Sequence, residues 1–183
     1  MSNIQLITTS FPESLKNDIA KVCLIHDDLL SANMRTSKSN RYPELIVQGS
    51  RINLISRVYS CPTPNYHQLS PIQQVIIDCI YSRHCNGYIR ENHLKRIITQ
   101  PYPWVLPFVI RPLGSYVKAI VDLIYSHRHD LNPIHTRHFL RENPEFFDLT
   151  QARVLSYWDA YYRRSVTRED YSGFKMIAFL TSL

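Results

Sequence analysis

Apolar residues recur along this chain at helical spacing for most of its length, with two short stretches of strand-like alternation near the start. Residues 4–9 are rich in β-formers and predict a short strand. Ser10 and Glu13 bracket a capping-box pattern, in which a hydroxyl and a carboxylate satisfy the free amides that open a helix. The helix predicted from there runs to about Ala32, with Leu15, Ile19, Val22, His26 and Leu29 on one face. Residues 34–43 are polar, have no period and read as a loop. Two β-rich runs then flank Gly49 and Ser50 and predict a hairpin.

A proline-rich connector, residues 61–69, follows. The pattern places the organisational boundary there, between an N-terminal appendage (1–60) and a helical domain (70–183). Ser70, Pro71 and Gln73 combine an N-cap, a first-turn proline and a box-closing side chain. That helix is predicted to end near Asn86 and Gly87, and a second to run from Tyr88 to Thr99. Further helices are predicted over 104–110, 115–126 and from Asn132-Pro133. Asn143-Pro144 restarts the chain, Thr150 reads as the cap of a helix through Arg164, and an apolar segment runs from Tyr171 to Leu180.

Two of these stretches match each other. Residues 76–82 and 120–126 share five of seven positions at a spacing of 44, and Ile89, His93 and Arg96 correspond to Ile134, His138 and Arg141 at a spacing of 45. Each copy is a helix ending in Ile-Tyr-Ser, a basic turn and a second helix carrying a His and an Arg. A period of roughly 40–47 residues is that of HEAT and armadillo units. Residues 86–126 resemble a HEAT repeat: Asn86 to Glu91 resemble the turn and first helix, and Pro103 to Phe108 resemble a second helix that opens on proline. The resemblance covers about half the chain and implies a mainly α fold. Antiparallel helix pairs would form a short HEAT-like stack, after a small α+β appendage containing the hairpin. Such stacks present an extended face to a partner.

Composition narrows the classes. A hydrophobic fraction of 44% excludes a disordered chain, and 4 Gly exclude collagen. No apolar run approaches the ~18 residues of a membrane span, so no membrane partner is expected. The opening residues lack the basic and apolar segments of a secretory signal, and Cys23, Cys61, Cys79 and Cys85 form no disulfide framework. Reduced thiols in a cytoplasmic protein are the expectation. With Lys plus Arg at 21 and Asp plus Glu at 15, the net charge is +6, which admits an acidic protein or a nucleic acid as partner.

Catalytic and metal patterns are weak by comparison. His127, His129, His135 and His138 crowd together, but no acidic or Cys partner has metal-ligand spacing, and Pro133 separates the two pairs. Arg128 and His135 resemble the Arg-and-His motif of the helical HEPN ribonucleases, which implies charge stabilisation by Arg128 and proton transfer by His135. The chain departs from that pattern at Asn132-Pro133, which breaks the helix both residues would share. Cys79, His84 and Cys85 show no triad, and Asp78 and Asp122 recur among apolar residues as candidate partners of the basic turns. Tyr157, Trp158 and Tyr161 have core spacing, whereas Tyr162, Arg163 and Arg164 are the more exposed candidates.

The reading is therefore a non-catalytic protein-interaction or scaffold module working in a larger complex, with no cofactor. Its candidate contact residues are Arg83, His84, Arg90, Arg96, His127, Arg128, His129, Arg137, Arg141, Tyr162, Arg163 and Arg164. The alternative is a nucleic-acid-binding accessory protein using the same basic, Tyr-rich face. A HEPN-like ribonuclease stands third.

Overall fold

The computed structural model describes residues 2–36, 42–60 and 65–183. Part of the predicted loop (37–41) and part of the proline-rich connector (61–64) lie outside the described residues, Cys61 among them. The fold is mainly helical, with two small pieces of antiparallel sheet, and no helix among the described residues is long and apolar enough to cross a membrane. The chain divides into two compact units, Met1–Ile97 and Ile98–Leu183.

In the first unit, residues 4–9 are not a strand. Ser2 and Gln5 close a capping box, and Asn3–Thr8 form helix α1. Ser10 is not a helix cap either. It is fully buried; its hydroxyl donates to Asn53 O at 2.8 Å and accepts from Ile55 N at 2.9 Å, tying the end of α1 to the strands. Helix α2 (Lys16–Ile25) breaks at His26, and α3 (Asp28–Ser31) follows. The predicted stripe Leu15, Ile19, Val22, His26 and Leu29 is nonetheless wholly buried. The first residues of the predicted loop are a strand, β1 (Asn33–Thr36), which pairs with β4 (Ile55–Tyr59). Strands β2 (Leu45–Val47) and β3 (Ser50–Ile52) form the hairpin. Gln48 and Gly49 both have positive φ at its turn, the geometry that matches strand twist and that glycine adopts without steric cost.

Helix α4 (Pro71–Tyr81) begins at the Ser70–Gln73 capping box, as its sequence predicts. It ends earlier than the pattern suggests, and Gly87 opens α5 (Gly87–Ile97) instead of closing α4. The reason is an edge pairing. Val58 N donates to Arg83 O and Cys85 N to Val58 O, so the chain at His84 forms a single parallel bridge to β4. Gln73 Nε2 also donates to Asp18 Oδ1 on α2. These bonds put α4 and α5 in the first unit, so the division falls at Ile97/Ile98 and not in the connector.

In the second unit, a 3₁₀ turn (Pro103–Val105) leads into α6 (Leu106–Ile110), and a second turn (Arg111–Gly114) precedes α7 (Lys118–Ser126). Asn132 caps α8 (Pro133–Glu142). Helix α9 (Pro144–Tyr161) is continuous: Thr150 does not cap it but lies buried inside it, its hydroxyl donating to Phe146 O. Helix α10 (Ser172–Ser182) packs on α7 and α9 around Phe108, Ile120, Ile124, Phe146 and Met176. The two matched segments have different neighbours. Helix α4 packs on α5, whereas α7 packs on α10 and α8 on α9. Tyr81 is fully buried, while Tyr125 is half-buried under Arg128.

Gly173 lies where a Cβ would stand 2.6 Å from the Tyr171 ring and 2.8 Å from Val154, both fully buried. Alanine favours a helix by up to about 1 kcal/mol, but crowding two fixed side chains costs about 1–3 kcal/mol. Gly173→Ala is expected to lower Tm, read by calorimetry. His26 is 3% exposed, and among the described residues its Nε2 has no partner. Burial holds its pKa below 6.5, against an opposing pull from Asp28 and Asp27. The unfolded chain therefore takes up a proton near 6.5 that the native state refuses until lower pH. Its stabilising effect is complete above that value and is lost as pH falls below it; urea midpoints should show this decline, and His26→Leu should flatten it.

Candidate functional site

The basic residues separate into two physical classes. Arg83, His84 and Arg90 are 5%, 3% and 2% exposed, so the structure removes them from any partner-facing surface. Arg83 Nε donates to Ile55 O at 3.3 Å and its Nη2 to Ser56 O at 3.1 Å. Arg90 Nη1 donates to His84 O and Cys85 O, each at 2.9 Å. His84 Nε2 lies 2.8 Å from Ser60 O; a carbonyl only accepts, so Nε2 carries the proton and Nδ1 accepts from Asn86 N. These side chains satisfy backbone carbonyls of β4, of Ser60 just after it, and of the segment between α4 and α5. Arg96 is exposed, its guanidinium 4.7 Å from the Tyr66 ring centroid.

The second unit holds the rest. His127 and Arg128 are half-buried: His127 Nδ1 is 3.0 Å from Leu123 O, and Arg128 Nη1 donates to Tyr125 O while stacking over that ring. His129 is exposed, edge-on to Phe179. Arg137 and Arg141 are exposed, one turn apart on α8. Arg128 sits in a 3₁₀ turn and His135 on α8, so they share no helix. Among the described residues no three His, Cys, Asp or Glu side chains gather as a metal-binding group.

Tyr162, Arg163 and Arg164 follow α9 and belong to a larger aromatic surface. Tyr161 is 62% exposed and Tyr116 47%, so Tyr161 is not the core residue its spacing suggests. Their ring centroids lie 6.1 Å apart, and Tyr157 packs 6.3 Å from Tyr116 and 6.1 Å from Tyr161. Tyr162 is half-buried and fixes the group: its hydroxyl donates to Tyr116 O and its ring stacks on Tyr171 at 5.7 Å. Tyr171 is fully buried and its phenol is pushed up to about 12, mainly by burial and further by Tyr162 and Asp122. Arg163 pairs with Asp159 at 2.9 Å, and with Arg164 and Tyr161 they line a shallow surface hollow. Tyr116 carried no signal in the sequence, because it precedes α7 in an irregular segment. Asp122 binds Lys118 and Ser172 rather than a basic turn.

Asp78 likewise avoids the basic turns and meets His93, with Nδ1 2.6 Å from Oδ1. Tyr66 donates to the same oxygen, and its phenol is raised by burial and by that bond. Cys23 and Cys79 are buried, with thiols pushed up by burial, that of Cys23 to about 11; Cys85 is exposed. No family model, curated protein or solved structure matches the chain.

Arg83→Met removes two charged donors from buried carbonyls and should cost about 2–4 kcal/mol of unfolding free energy. Arg137→Met on the exposed face of α8 should change it by less than about 0.5 kcal/mol. Urea titrations of both variants check the division between the two classes.

Proposed function

We propose that the second unit is a protein-interaction module whose docking surface is the tyrosine cluster around Tyr161, rimmed by Arg163 and Arg164. The observation that carries this reading is the exposure of Tyr161 and Tyr116 in a packed ring cluster. An aromatic patch left open to water is costly unless something covers it, and Tyr and Arg are enriched among residues that dominate binding energy. Tyrosine suits such a surface because it offers a large rigid face at a small cost in side-chain entropy. Tyr157 and Tyr161 stand one turn apart on α9, so their rings lie on one face of that helix. The module would work inside a larger complex.

A second reading, single-stranded nucleic acid, draws on Arg164 beside the exposed Tyr161 ring, which pairs a phosphate-binding cation with a stacking platform. Asp159 in the same hollow disfavours it. The partner recovered from the source cells should bind Tyr161→Ala about 30-fold more weakly, an interface loss of about 2 kcal/mol. Tyr88→Ala, at an 82% exposed position of the first unit, should bind as the wild type does. Equal binding by all three proteins places the interface elsewhere. A steep loss of affinity with added salt, on an oligonucleotide instead of a protein, selects the second reading.

A further inference from the structure

The first unit holds a buried acid–base cluster that a binding role for the second unit leaves unused. Asp78 on α4 and His93 on α5 are 5% and 8% exposed, and Nδ1 approaches Oδ1 at 2.6 Å. A carboxylate only accepts, so Nδ1 carries a proton, and in the neutral ring Nε2 presents its lone pair. Among the described residues nothing bonds to Nε2. The ring is held from both sides. Tyr66 OH donates to the same Asp78 oxygen at 2.5 Å, and Tyr81 packs 5.1 Å from the imidazole with its own hydroxyl anchored on Asp28. One turn along α5, the exposed Arg96 places its guanidinium over the Tyr66 ring.

Burying a carboxylate against an imidazole is costly, and apolar side chains of the same volume often hold a fold as well. An imidazole oriented by a buried carboxylate, with its other nitrogen unbonded, is the arrangement a general base requires. We propose that His93 is the general base of a hydrolytic site for phosphodiesters, with Asp78 as its positioning residue and Arg96 as the cation that meets the phosphate. Nε2 takes a proton from water as the water oxygen bonds to phosphorus. The phosphorus–oxygen bond to the leaving alcohol breaks, and that oxygen takes the proton back from the imidazolium. The products are a phosphomonoester and an alcohol, with His93 neutral again. A phosphodiester fits because its single negative charge is complemented by Arg96 on a chain of net charge +6. Water is the nucleophile because the adjacent thiol, Cys79, is fully buried, and burial together with Asp78 holds it protonated.

The test follows nitrophenolate release from bis(p-nitrophenyl) phosphate by the full chain and its variants. The wild type should turn the substrate over. His93→Gln should lower kcat by about 10²–10⁴-fold, and Asp78→Asn should lower kcat with little change in KM. Arg96→Gln, at an exposed position that leaves the fold intact, should raise KM about 10-fold while kcat moves less. Absence of turnover by the wild type overturns the proposal. So does turnover that Arg96→Gln leaves unchanged, whether or not the two buried variants fold.

Discussion

Where α4 stops, three residues leave the helix and bond to β4 and to neighbouring side chains, and the first unit is organised around making that join tolerable inside a protein. Residues 83–85 exchange two backbone bonds with Val58. Arg90 meets the carbonyls of His84 and Cys85, and Arg83 meets those of Ile55 and Ser56 on β4. A buried carbonyl without a donor costs about 1–3 kcal/mol, so several left open would consume a large part of a typical stability of about 5–15 kcal/mol. The join also fixes how α5 leaves α4, and with it the placing of His93 against Asp78. Sheet, helix pair and dyad therefore stand or fall together.

The second unit solves a different problem, how to keep several tyrosines ordered while leaving two of them open to water. Its aromatic side chains form a graded series. Tyr171 is fully enclosed, Tyr162 stacks on it and bonds to Tyr116 O, and Tyr161 and Tyr116 emerge at the surface. Gly173 supplies the space that lets the Tyr171 ring lie against Val154. Preorganisation of this kind lowers the entropy lost on association, so the patch is better suited to binding than flexible rings would be. Both units thus invest buried polar and aromatic groups in fixing a few side chains. The first fixes an imidazole and the second a set of phenol rings.

Local chemistry was legible where a short segment carries its own instruction. The Ser70–Gln73 box, the Asn132-Pro133 start and the hairpin at Gln48-Gly49 each depend on residues within four positions of one another. Residues 4–9 failed because their β-forming composition is outweighed by a box that opens two residues earlier, at Ser2, and closes on Gln5. Ser10 failed because its partners, Asn53 and Ile55, lie more than forty residues away. Of the candidate contact residues, Tyr162, Arg163 and Arg164 could be read from their cluster in the sequence, whereas Tyr116 joins them only because the turn at Arg111–Gly114 packs against α9.

The chain by itself determined that it would be mainly helical, where most helices begin, and that it carries a basic excess. Periodicity and capping act over one or two turns, and charge is a sum that needs no geometry. Tertiary structure alone decided which cations are spent inside: Arg83 and Arg96 are the same residue type, yet one bonds buried carbonyls and the other faces water. It likewise decided that Asp78 faces His93 and that Tyr161 is exposed despite core spacing. Burial depends on which surfaces meet, and no local pattern in the chain encodes that meeting.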